Sequence, residues 1–91
     1  MSRMSGFTGE TSHNFFNILD GDEAAVNVAV PGAQLGDFAL VSMDIDVENL
    51  QLRADVTAAD RVTVVASNST GASVNLGLGI IRGKVIPFDV I

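Results

Sequence analysis

A chain of 91 residues has room for one domain with a single hydrophobic core. It contains no Cys, which excludes disulfide bonds, thiolate catalysis and Cys-ligated zinc, and it contains neither Trp nor Tyr, so that five Phe are its only aromatic stacking surfaces besides the one His. Five basic residues against eleven acidic ones give a formal net charge of −6, which disfavours the phosphates of nucleic acids and anionic membranes, so we expect neither as a partner.

Residues 1–22 lack the patterning of a helix or of a strand. They are rich in Ser, Thr, Gly and Asn, and no period of 3.6 or of 2 runs through their scattered apolar side chains. They also lack an apolar run of signal-peptide length, so we expect no targeting segment. We predict an extended N-terminal arm, whose apolar side chains lie either on their own domain or on a neighbour.

Residues 23–91 are predicted to form an all-β domain. Segment 24–30 has Val at alternate positions, and Pro31-Gly32 after it suits a type II turn because Gly tolerates a positive φ. The further predicted strands are 37–43, 50–57, 61–67, 74–80 and 80–90. About six short strands separated by turns are typical of an antiparallel β-sandwich of jelly-roll-like form.

Two of these strands alternate clearly enough to predict their faces. In segment 50–57, every second residue from Leu50 to Val56 is apolar and is expected to face the core. In segment 37–43, Phe38 and Leu40 share one face of the strand. Period-2 alternation of this kind is incompatible with a helical stripe, so it supports the all-β assignment.

Gly77, Gly79 and Gly83 lie within the last two predicted strands. The simplest interpretation is that they mark bulges or bends. The alternative is that another backbone approaches closely there, at a contact with a second subunit, because Gly has no side chain to obstruct it.

The polar motifs that could carry chemistry are weak. His13 is the only histidine and no Gly-x-Ser-x-Gly motif accompanies it, so we expect a solvated side chain. Asp44, Asp46 and Glu48 alternate as Ca²⁺ ligands could, but they lack EF-hand spacing and are expected to form an acidic loop. Asn68-Ser-Thr fits the N-glycosylation pattern and equally the composition of a turn. We therefore expect no catalytic residue, no cofactor, no metal and no enzymatic activity.

Most of the chain resembles a small β module found in virion proteins of tailed phages. In that module a strand leads into a Pro-Gly-Ala-x-Leu-Gly-Asp turn, here Pro31 to Asp37, and then into an apolar strand. The stretches that carry the resemblance are 26–42, 56–64, 68–72 and 81–85. The module occurs in fibres, head proteins and decoration proteins, and the resemblance covers about residues 24–87.

Because the module here is accompanied only by a 22-residue arm, the chain most resembles a capsid decoration, or cement, protein. That resemblance implies the major capsid protein as partner and a homo-oligomer, with a trimer favoured. It also implies a location on the capsid surface after synthesis in the host cytoplasm. The alternative is a receptor- or glycan-binding module of a tail fibre or spike, or another minor virion component, although sugar binding usually uses the Trp or Tyr that this chain lacks.

The large apolar residues of the arm and of the C-terminus are the predicted partner-facing set. They are Phe7, Phe15, Phe16, Ile18 and Leu19, followed by Val90 and Ile91. Burial of such side chains against a lattice of capsid subunits would stabilise the shell by roughly 25 cal/mol per Å², less the cost of ordering the arm. The alternative is that the Phe side chains cap the core of their own domain.

Overall fold

A computed structural model describes residues 6–90, in which the regular elements are β-strands and one 3₁₀ turn at Phe88–Val90. The strands are β1 (Phe7–Asn14), β2 (Asn17–Ile18), β3 (Glu23–Ala29), β4 (Phe38–Met43), β5 (Gln51–Ala58), β6 (Arg61–Ser67), β7 (Val74–Asn75) and β8 (Leu78–Ile86). The predicted all-β class is confirmed. Within the described residues, no helix is long and apolar enough to cross a membrane.

The strands form two antiparallel three-stranded sheets and one short ribbon. The first sheet has the order β1-β8-β4 and the second has the order β3-β6-β5, while β2 pairs with β7. The outer strands of the two sheets also contact each other, β4 against β5 and β1 against β3. The arrangement is a small β-sandwich with its core between the sheets.

Small aliphatic side chains fill this core. Its fully buried members of larger size are Val28, Val30, Val62, Val64, Ile81 and Val85. The faces predicted for segment 50–57 are confirmed, because Leu50 and Val56 are buried while Gln51 and Arg53 are exposed. Stiff β-branched side chains lose little rotamer freedom in strands, which suits a core that is poor in aromatic residues.

Residues 7–14 of the N-terminal segment form an edge strand of the first sheet and so belong to the sandwich itself. β1 pairs with β8 along its whole length, from Phe7 opposite Val85 to Asn14 opposite Leu78. The inward positions of β1 are Gly9, Thr11 and His13 rather than aliphatic residues, together with Phe7. A strand with such inward residues has no hydrophobic alternation, which explains why the sequence pattern did not identify it.

The predicted type II turn at Pro31-Gly32 is confirmed. The N–H of Ala33 donates to the carbonyl oxygen of Val30 at 3.1 Å, and Gly32 has a φ of +97°. Asp60, from the tight connection between β5 and β6, holds this turn in place. Its carboxylate accepts the N–H of Gly32 at 2.8 Å, and its own N–H donates to the carbonyl oxygen of Ala33 at 2.9 Å.

The glycines near the C-terminus have two different roles. Gly77 has a φ of +78° and forms the bend that precedes β8. Gly79 and Gly83 belong to β8, which pairs with both neighbours without a register shift, so the bulge interpretation is wrong for them. Both glycines are buried, and a Cβ added to Gly79 would lie 2.9 Å from Cδ1 of Ile45. Gly79 therefore leaves room for a side chain of its own domain.

Gly9 and Gly83 are paired across β1 and β8 and differ sharply in the space around them. A Cβ on Gly9 would overlap the carbonyl oxygen of Ala29, whereas a Cβ on Gly83 would lie 3.5 Å from Cγ2 of Val30, an ordinary contact.

We predict that Gly9→Ala lowers the free energy of unfolding by about 1–3 kcal/mol, because β1 must move away from β3. Gly83→Ala should change it by less than about 1 kcal/mol. Urea unfolding of both variants tests this, and equal losses would contradict it.

Candidate docking surface

Hydrogen bonds link polar side chains across the outer face of the second sheet. Thr63 donates from Oγ1 to Oδ1 of Asn27 at 2.8 Å, and the hydroxyl groups of Thr57 and Thr63 lie 2.7 Å apart. Arg61 donates from Nε to Oγ1 of Thr57 at 3.1 Å. Side chains from all three strands are therefore linked.

The outer face of the first sheet, which we call the open face, is different in character. It consists of the outward side chains of β1, β8 and β4. Phe38 and Leu40, which were predicted to share a face of their strand, are outward here and 51% and 56% exposed. Across the sheet they stand opposite Ile86 and Lys84. Large apolar side chains next to one another on a sheet surface are typical of a contact site rather than of a solvated face.

The cations of the two faces differ in their partners. On the second sheet, Arg53 forms an ion pair with Glu23, with Nη1 and Oε2 separated by 3.6 Å. On the open face, Arg82 and Lys84 project from the central strand β8 and form no ion pair or side-chain hydrogen bond within residues 6–90. Glu10 stands opposite Arg82 in the register, yet no ion pair joins the two. The charges of the open face are thus available to a ligand.

A shallow, open trough of about 710 Å³ lies across the middle of this face. Its floor is the backbone of one row of paired residues, Gly9, Gly83 and Val41. The outward rows on either side form its walls, one made of Thr8, Lys84 and Leu40 and the other of Glu10, Arg82 and Ser42. The trough therefore has an apolar wall residue on β4, two cations on β8 and a carboxylate on β1.

The predicted partner-facing residues are divided between the core and the surface. Phe15 and Ile18 are 7% and 3% exposed and belong to the core, which corrects their assignment to a partner and agrees with the alternative stated for the Phe residues. Phe7 is half-buried, with its ring against Gly32. Phe16 and Leu19 are exposed. The side chain of Val90 and all of Ile91 lie outside the described residues.

Phe16 is the most unusual of these residues. Its φ of +58° lies in the left-handed region, which bulky side chains rarely adopt, and its N–H donates to Oδ1 of Asn14 at 2.7 Å. The ring is 68% exposed, and Leu19 and Leu78 are exposed at the same end of the sandwich. This end is a second apolar region, distinct from the trough with its two cations.

The polar motifs take part in the fold itself. The ring of His13 packs edge-on against Phe15, with ring centroids 4.7 Å apart. Asp44 accepts the N–H of Ile80 at 2.7 Å, and Asp46 accepts the backbone N–H two residues later at 2.9 Å. Among the described residues, no group of three or more His, Asp or Glu side chains is arranged to hold a metal ion. Asp44 therefore ties this loop to β8, and Asp46 stabilises the loop's own turn.

Asn68 is a buried structural residue, 2% exposed. Its Nδ2 donates to the carbonyl oxygens of Ile18 and Ala72, each at 2.8 Å, and its Oδ1 accepts the N–H of Thr70 at 2.9 Å. The side chain that the glycosylation pattern would modify thus holds together two loops distant in sequence. The pattern arises from a turn, as its composition indicated.

The cations of the open face carried no recognisable sequence motif. Arg82 and Lys84 alternate with buried residues, which places them outward on a strand. Their neighbours Leu40 and Glu10 come from strands distant in sequence, so the site depends on a strand order that local patterns do not contain.

No known family model, curated protein or solved structure compared with this chain matches it. Its function is therefore inferred from its own sequence and surface.

Asn68 and its neighbour Ser69 allow a matched test of the loop junction. We predict that Asn68→Ala lowers the free energy of unfolding by about 1–3 kcal/mol, because it removes the amide that donates to the carbonyl oxygens of Ile18 and Ala72, the first of these bonds being buried. Ser69→Ala, at an exposed position, should change it by no more than about 0.5 kcal/mol. Thermal and urea unfolding would measure both values. A stability of Asn68→Ala equal to that of the unmodified chain would refute the structural role.

Proposed function

We propose that this chain is a non-enzymatic structural module that docks on other protein subunits through its open face, and that it is a capsid decoration protein of a tailed phage. The observation that carries the docking proposal is the contrast between the two faces. One links side chains of its three strands by hydrogen bonds, and the other presents Arg82 and Lys84 without an ion pair or side-chain hydrogen bond in residues 6–90, beside the exposed Phe38 and Leu40. The virion assignment is supported by the resemblance over about residues 24–87.

The size of the open face suits a weak contact that is repeated many times. Full burial of one Phe or Leu side chain contributes about 1.5–3 kcal/mol, and association costs several kcal/mol in lost freedom. A few such side chains therefore give a modest affinity for one copy. On a lattice, many copies bind the same repeated surface, and each copy that bridges two shell subunits opposes their separation. Decoration of a capsid needs only this additive contribution.

The revised partner-facing set begins with Phe38 and Leu40 in the trough region, together with Arg82 and Lys84. Phe16 and Leu19 stay as a secondary contact, because both are exposed at the end of the sandwich. The major capsid protein is the proposed partner, and a homo-oligomer, with a trimer favoured, is the proposed state on the shell. The polar face of the second sheet would then face the solvent.

The copy number in purified particles is the first measurement that tests the virion role. We expect the chain to be present in a simple ratio to the major capsid protein, because a decoration protein follows the symmetry of the shell. Quantitative mass spectrometry against the major capsid protein gives this ratio. A few copies per particle would contradict decoration and would move the protein to a tail or spike.

Leu40 and Leu19 provide a matched pair that locates the docking surface, because both side chains are 56% exposed. We predict that Leu40→Ser weakens binding to shells lacking the protein about tenfold or more, since it removes apolar area from the interface. Leu19→Ser should bind nearly as the unmodified chain does, and both variants should unfold at the same urea concentration within error. The reverse result, with binding lost only in Leu19→Ser, would transfer docking to the N-terminal segment.

A further inference from the structure

Two cations that form no ion pair or side-chain hydrogen bond among the described residues stand side by side in a chain whose net charge is −6. Lys84 and Arg82 are two residues apart on β8 and are both exposed, so their side chains leave the sheet on the same side about 7 Å apart. One carboxylate placed over the strand between them would be within reach of both long side chains. Isolated cations on an acidic surface would more often be neutralised by the carboxylates of the chain itself, as Arg53 is by Glu23.

The surroundings of these cations restrict what can lie in the trough. Leu40 on the β4 side offers an apolar contact, and Glu10 on the β1 side disfavours a second anion there. Three strands spaced about 4.8 Å apart give the trough a length of roughly 10 Å, which is about three residues of extended chain. The fitting ligand is short, has one anion near its middle and has an apolar side chain next to it.

We infer that the trough binds a short segment of a partner protein in which a carboxylate side chain sits between Lys84 and Arg82 and an aliphatic side chain packs on Leu40. This inference deepens the proposed docking function by naming the chemistry of the partner surface. A nucleic acid fits less well, because two cations are few for a phosphate backbone and because Leu40 would have no apolar counterpart. Charge complementarity therefore assigns the trough to an acidic and apolar protein segment.

The test is a titration of the purified full chain, followed by ¹H–¹⁵N NMR, with the capped peptide Leu-Ser-Glu-Ser-Leu, whose one carboxylate and two aliphatic side chains share a face when the peptide is extended. Its control is the capped Leu-Ser-Gln-Ser-Leu peptide, which has the same shape and no charge. We expect the Glu peptide to shift the amide signals of residues 8–10, 40–42 and 82–84. The control should bind on the order of three- to tenfold more weakly, the range expected for one or two exposed charge contacts.

Three variants assign the effect to the trough. Lys84→Met with Arg82→Met should weaken binding of the Glu peptide on the order of three- to tenfold. Arg53→Met with Arg61→Met, on the opposite face, should leave it unchanged. Glu10→Gln should strengthen binding about two- to threefold, because it removes a carboxylate from the end of the trough. A gain of affinity cannot result from misfolding, so this variant guards against loss of structure as the cause.

The outcomes separate this inference from the proposed function. Equal binding of the two peptides, no binding, or shifts confined to other residues would overturn the inference, even if Leu40→Ser still abolished docking on shells. Binding of the Glu peptide to a chain that never docks on shells would support the inference and refute the decoration role. If the chain self-associates and Lys84→Met abolishes that association, a second copy is the occupant of the trough. This result would overturn the assignment to a different protein.

Discussion

The register of β8 is the constraint on which both the core and the open face depend. β8 is the central strand of the first sheet, and its side chains alternate between Ile81 and Val85, which are fully buried, and Arg82 and Lys84, which are exposed. Because the period of a strand is two, a slip of one residue would bury both cations and expose both aliphatic side chains. Burial of Ile81 and Val85 fixes the register of β8, and the same register places Arg82 and Lys84 on the outer face.

The edge strands of both sheets are covered, which favours the proposed association through a face over strand addition at an edge. A free edge exposes unpaired backbone groups and invites strand addition by another chain. Here β4 of the first sheet contacts β5 of the second, and β1 contacts β3, so the sheets cover each other along their sides. At Gly9 the approach is so close that no Cβ fits beside Ala29. With these sides covered, the open face is the surface through which the proposed docking occurs.

Much of the strand content could be read from the sequence, and the pairing could not. Segments such as 50–57 and 61–67 alternate because one side of each strand faces the core, and a local pattern records that directly. β1 has Gly9, Thr11 and His13 on its inward side, since it crosses the thin part of the sandwich, and so it left no apolar pattern. The site joins β1, β8 and β4, which are far apart in the chain, so predicting it required the strand order.

The residues that stabilise this fold differ from those of the proposed docking face. Leu40 and Lys84 are exposed and hold no element in place, whereas Asn68 is buried and joins loops by its amide group. A small sandwich with a Val-rich core is expected to be only marginally stable. A partner that binds the folded state alone adds to that stability by mass action. Docking on an ordered surface would therefore stabilise the module as well as the surface. The exposed apolar side chains, which lower solubility in the free chain, would supply the free energy of binding.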